Sequence, residues 1–277
     1  MKKLTCYRFF KLFAFLISLI SIPALAQDAK PDTTKLKLVP ADSLIAPKPD
    51  TATKPPRVLI DTIRYRFAGD GNFTRGNVNR SLMVLRAELI FGGPLINIAT
   101  NPRFTYGEQN GILAERDSYV DLFVDVFKKH KTYVFGLAVL ETSNLRRIDI
   151  RQMAGAGIGY RVFRTKSHDL TLTNAILYES TNFFEKSTVT TVRNSFRVKG
   201  KHSFLSDKFR FNHLTFIQPA LNDLSNTRWN TILSVELPLN KWMALRTSFE
   251  NSYESVVETG RKRNDSRITF GISVGNK

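Results

Sequence analysis

The sequence predicts an all-β chain: an antiparallel up-and-down transmembrane β-barrel of about 12 strands, after a signal peptide and a disordered linker. Three observations predict it. The first residues read as an export signal, twelve strand-like runs fill the chain from about Leu59 onward, and in several of those runs apolar and polar residues alternate without a break.

The chain opens "MKKLTCYRFFKLFAFLISLISIPALAQ". Lys2, Lys3, Arg8 and Lys11 precede an apolar stretch from Phe13 to Ile22, and Ala24-Leu25-Ala26 is a small-residue cleavage site. This pattern predicts a secretory signal peptide over residues 1–26, with an uncleaved membrane anchor as the other reading. Cys6, the only cysteine, lies before the apolar stretch, so the exported part is expected to hold no disulfide. The formal charge is +17, and removing those four cations leaves +13. Anionic lipid and acidic polymers fit that charge. Nucleic acid does not, because export removes the usual partner and the basic residues are scattered. No later segment approaches the roughly 18 consecutive apolar residues of a membrane helix. Any later membrane-crossing part must therefore be β. Residues 27–58 hold six of the eleven prolines among Thr, Lys and Asp, and read as a disordered linker, or as a proline-rich partner-binding segment.

The strand-like runs fall near 60–69, 78–91, 97–107, 116–127, 132–142, 150–163, 169–179, 188–199, 204–217, 227–238, 241–253 and 266–275. In the last, Ile268, Phe270, Ile272 and Val274 share one face, while Arg267, Thr269, Gly271 and Ser273 share the other. Met243, Leu245, Thr247, Phe249 and Tyr253 oppose Ala244, Arg246, Ser248, Glu250 and Ser252 in the same way. Short turns are expected near Gly92-Gly93-Pro94, Lys128–Lys131, Arg164–Ser167 and Gly200, each starting 36 residues after the one before. Longer polar loops are expected between them, at 107–117, 141–149 and 258–265. Short turns at one end and long loops at the other describe an outer-membrane barrel. A soluble β-sandwich alternates too. However, Tyr65, Phe104, Tyr106, Tyr160, Trp229, Trp242, Phe249 and Tyr253 lie on the apolar face, several near strand ends, where membrane girdles belong.

The stretch 133–163 carries a strand ending in Glu141, a loop with Arg146 and Arg147, and then "GAGIGYR" from Gly155 to Arg161. Together with "FAGDGNFTRGNVN" at 67–79, it resembles the YdiY-like, or salt-induced, outer membrane proteins of domain-of-unknown-function family 481. The resemblance spans about 60–277 and implies a barrel in the cell outer membrane of a Gram-negative envelope, with no established activity. The chain departs from it by its linker and by ending "SVGNK", without the terminal aromatic common in barrel proteins. Gly155, Gly157 and Gly159 alternate with Ala154, Ala156, Ile158 and Tyr160, so the glycines are expected to face the lumen and to leave room for long arginines from neighbouring strands. A nucleotide-binding loop needs a helix to begin at the glycines, and "YRVFRTKSHDLTLT" continues as strand, turn and strand.

The same alternation puts Arg64, Arg66, Arg86, Arg103, Arg151, Arg161, Arg193, Arg197, Arg246 and Arg267 in the lumen. Opposing them are Glu88, Asp117, Asp121, Asp125, Glu179, Glu236 and Glu250. Asp117, Asp121 and Asp125 share one face but each stands about 13 Å from the next, which suits salt bridges rather than a shared metal. The basic residues expected at the short turns, Lys128, Lys129, Lys131, Arg164, Lys166, Lys199 and Lys201, read as solvated or as a collar for anionic headgroups. His130, His168 and His202 lie in or beside the expected short turns and read as solvated residues there. His213, with Thr215 two residues on, offers the one arrangement suited to a membrane-embedded lipid hydrolase. The expected function is thus a non-enzymatic, porin-like barrel forming a narrow channel for small solutes or ions with a basic, arginine-rich lumen. A plugged structural or interaction barrel is the alternative. Neither a cofactor nor a metal is expected. Membrane lipids and lipopolysaccharide are the expected surroundings of a monomer, with the barrel-assembly machinery and periplasmic chaperones as partners during biogenesis.

Overall fold

The computed structural model describes residues 60–276, so the signal peptide and linker expected over 1–58 lie outside the described residues. Thirteen strands follow one another: β1 (Thr62–Thr74), β2 (Arg80–Gly92), β3 (Ile96–Thr100), β4 (Arg103–Gln109), β5 (Ile112–Val126), β6 (Thr132–Ser143), β7 (Ile148–Arg164), β8 (His168–Phe183), β9 (Val189–Phe204), β10 (Phe209–Pro219), β11 (Thr227–Pro238), β12 (Met243–Glu254) and β13 (Asn264–Gly275). Every pairing is antiparallel. Because β1 pairs with both β2 and β13, the sheet closes on itself and leaves no free edge.

β3 and β4 both lie between β2 and β5, so the two together form one stave and the barrel has 12. The break falls at Asn101-Pro102. Proline has no N–H to give the ladder, so the chain steps aside there. Asp121 accepts the Asn101 N–H at 2.7 Å, and the Pro102 carbonyl accepts from Ala87 at 2.9 Å. Both polar groups are thereby satisfied inside the wall.

Three expectations about connections are corrected. Gly200 is not a turn: β9 runs through it, and the reversal comes at 205–208, so the equal spacing of turn starts fails at its fourth member. That turn holds Leu205, Ser206 and Asp207 at φ of 52°, 55° and 71°, left-handed values that favour glycine, and nothing in its composition announced it. The polar stretch 107–117 is mostly strand, with β4 and β5 joined by a two-residue hairpin at Asn110-Gly111 (φ 51° and 76°). The stretch 141–149 shrinks to a connection at 144–147. Polar composition misled here because strands that carry charge on their inward face read as loops.

Candidate functional site

The two faces of the wall are chemically opposite. Ile63, Ile158 and Phe270 point outward and are 59%, 59% and 61% exposed, whereas Asp70, Glu179 and Glu236 point inward and are at most 2% exposed. A water-soluble fold does the reverse. Inside lies a cavity of about 770 Å³, lined by sixteen Lys and Arg side chains against nine Asp and Glu. Its lining runs from Asp61, Gly93 and Lys129 at the end with the 93–95 and 127–131 connections to Arg146, Tyr253 and Asp265 at the other.

Arg64, Arg66, Arg86, Glu88, Arg103, Asp121, Asp125, Arg151, Arg161, Arg197, Arg246, Glu250 and Arg267 line this cavity. Asp117, Arg193 and Glu236 are buried on the inward side of their strands. Gly155, Gly157 and Gly159 alternate with exposed Ala154, Ala156 and Ile158 on β7.

Ion pairs fill the interior in three groups, and most of them join strands that are not neighbours in the sheet. Near the 127–131 connection, Lys201 on β9 reaches Glu88 on β2 at 2.9 Å, and Lys199 joins it at 3.5 Å. Midway, Glu250 on β12 pairs with Arg103 on β4 and Arg86 on β2, while Arg267 on β13 reaches Glu115 on β5 at 2.6 Å. Asp70 pairs with Arg86 and Arg246, and Glu236 pairs with Arg66. At the far end Glu254 accepts both guanidinium nitrogens of Arg151, at 2.7 and 2.8 Å, across from β7. Arg146, folded inward from the 144–147 connection, bonds Glu254 at 2.7 Å and also Glu141. Burial alone would make the Arg146 guanidinium less basic, but Glu141 and Glu254 outweigh it and raise its pKa above the ordinary value. Burial wins at Lys128 in the 127–131 connection, whose pKa is lowered despite its pairing with Asp125.

Asp70, Arg228 and Glu254 were missed by the sequence inventory, although parity would have found them. Each lies an even number of residues from an inward neighbour on its own strand: Arg66, Glu236 and Glu250. Arg146 had no such signal, because it belongs to a connection. Asp117, Asp121 and Asp125 stay apart, but the salt-bridge role fits only Asp125. Asp121 accepts Asn101 and the Tyr119 hydroxyl, and Asp117 accepts the Leu145 N–H at 3.4 Å. Both hold chain breaks in place. Lys199 and Lys201 lie in β9 and point inward, so they belong to no headgroup collar.

The glycine expectation needs a second correction. What fills the space over β7 is not arginine but an apolar cluster of Tyr133, Phe135, Leu137, Val139, Met153, Ala175 and Leu177, with Tyr119 and Phe123 packed against it. A Cβ on Gly159 would enter the Tyr133 ring, and one on Gly157 would strike the backbone of β8 at Asn174 and Ala175. At Gly155 and Gly157 the inward side of β7 lies so close to β8 that only glycine fits. The interior therefore has an apolar, aromatic stretch of wall on β5–β8, flanked by charged residues such as Asp125 and Arg151, and a more uniformly charged wall on β11–β13, β1 and β2.

His213 borders the cavity, but it shares parity with Phe211 and Thr215, opposite to that of Asn212, Leu214 and Phe216, and its ring faces outward to stack on His202. Its ring stacks on His202, with Nε2 atoms 3.2 Å apart, and His202 contacts His168 at 3.3 Å. Thr215 is bonded to Thr231 instead. The hydrolase pairing of His213 with Thr215 is not formed; His168 opens β8 beside the 165–167 turn, whereas His202 lies within β9 and not at a turn at Gly200. Among the described residues no group of three or more His, Cys, Asp or Glu is placed to hold a metal ion.

A family model described as "Protein of unknown function, DUF481" matches residues 71–275. No curated protein matches the chain. Among solved structures, the NanC porin aligns at 11% identity and TM-score 0.48, covering 77% of this chain and 99% of that one. The translocator domain of the autotransporter NalP from Neisseria meningitidis aligns at 15% identity and TM-score 0.41, covering 78% and 87%. The KdgM porin, solved in complex with disordered oligogalacturonate, aligns at 8% identity and TM-score 0.41, covering 77% and 98%.

Proposed function

Given that the chain belongs to the DUF481 family, whose description assigns no activity, we propose that it is an integral outer-membrane barrel passing small anions along a narrow, basic interior. The carrying observation is the cavity itself. It draws its lining from both ends of a closed barrel and holds sixteen cationic against nine anionic side chains. An excess of fixed positive charge in a low-dielectric tube attracts anions and repels cations. The apolar outer face supports a lipid setting, with membrane lipid and lipopolysaccharide around the wall. Fractionation with heat-modifiable gel migration tests the location, and a protein that stays soluble without detergent ends it. In planar bilayers across a KCl gradient, the expected result is a small conductance with an anion-selective reversal potential.

The cross-lumen ion pairs favour a second reading, a plugged barrel that serves structure or interaction. Most of them reach across the bore, and the buried ones, such as Arg151–Glu254, are desolvated on both sides and resist displacement. Silence in bilayers at every voltage selects that reading over the first.

A further inference from the structure

We propose that the middle of this interior is a binding site for small anions that carry a flat apolar group, such as aromatic carboxylates, with Arg197 as the partner of the charge. The proposal deepens the reading above and rests on the interior being open to the medium. Arg197 lines the cavity from β9. Its guanidinium carbon lies 5.0 Å from the centre of the Phe123 ring, on β5 across the bore, and 5.7 Å from that of Phe216 on neighbouring β10. Among the described residues no carboxylate lies within ion-pair distance of Arg197, whereas Arg103, Arg151 and Arg267 are each paired. A guanidinium held between ring faces keeps its charge and loses part of its hydration, so its donors are left for an anion from outside. Beside it stands the apolar wall, where Tyr119, Tyr133 and Phe135 also line the cavity.

A bare inorganic ion would lose hydration against that wall and gain nothing from it. A flat apolar anion regains the loss by burying its ring while Arg197 holds its carboxylate. The arrangement therefore selects by shape and polarity as well as by charge.

The test is equilibrium binding of benzoate and of acetate to the folded, full-length chain in detergent micelles, read against empty micelles. Benzoate is expected to bind at least tenfold more tightly than acetate. Arg197→Gln should remove most of the benzoate affinity, with Arg197→Lys retaining part of it. Phe123→Leu should lower benzoate affinity while leaving acetate unchanged, which keeps the test alive if Arg197→Gln fails to fold. Equal binding of the two anions, or full benzoate affinity in Arg197→Gln, overturns the proposal. Bilayer recordings separate it from the passage reading. Silent bilayers with benzoate bound would end the passage and leave this site standing. Chloride current with neither benzoate binding nor benzoate block would do the opposite.

Discussion

At Gly157 the chain has no room for a side chain, because a Cβ there meets the β8 backbone, which cannot swing aside as a side chain can. Gly157→Leu is expected to overpack the wall and lower folded yield, at a cost of about 1–3 kcal/mol or more. One residue on, Ile158 faces outward and is 59% exposed, so Ile158→Leu should be nearly silent. Ile158→Arg should cost about 2–4 kcal/mol if the site lies near the bilayer midplane. Urea titrations of the barrel in lipid vesicles check all three. Gly159 differs in kind, since the obstacle there is the Tyr133 ring. Gly159→Ala should destabilise alone and be largely rescued by Tyr133→Ala, a coupling that a double-mutant cycle measures directly. The glycine alternation was readable from sequence; its occupant was not. Tyr133 and Phe135 sit in an apolar run whose two faces look alike in composition, so nothing local said that aromatic rings pointed inward.

Among the elements, β9 shows where the reading along the chain ran out. Gly200 suggested a turn because glycine usually punctuates, yet here it lies beneath His213, where a Cβ would meet the imidazole. The true reversal at 205–208 uses residues with no glycine preference, held by Asp207, which accepts from the Ser203 hydroxyl at 2.8 Å and from Arg210 at 2.7 Å. Ser206 pays a left-handed penalty at φ 55°. Ser206→Gly should therefore raise stability by about 1 kcal/mol, seen as a higher urea midpoint with an unchanged slope. An unchanged midpoint would mean that the turn is not strained. Strand existence was legible throughout, because alternation is a local property. Turn position was not, because tertiary contacts chose it.

For the molecule as a whole, the balance of interior charge bears on stability and, on the proposed anion passage, on selectivity. Glu254 binds Arg151 and Arg146 from across the barrel. Glu254→Gln should cost about 3–5 kcal/mol by leaving buried guanidinium groups underpaired, measured again by urea titration. Lys199 and Lys201 stand opposite Glu88 and 47% and 45% exposed. Reversing both, as Lys199→Glu with Lys201→Glu, should move the reversal potential toward cation selectivity and weaken as salt rises. An unchanged reversal potential would place the conducting path elsewhere.

The sequence by itself determined that the chain is all-β over the barrel, which residues share a face, and that one face is apolar and the other basic. These follow from a period of two, which each strand carries without reference to its neighbours. The tertiary structure decided what meets inside. It joined Arg151 to Glu254 and Lys201 to Glu88, turned His213 outward to stack on His202, and set Arg197 between Phe123 and Phe216. Those contacts depend on the stagger with which the staves close, and stagger is a property of the whole ring of hydrogen bonds, shared by all the strands and written in none of them.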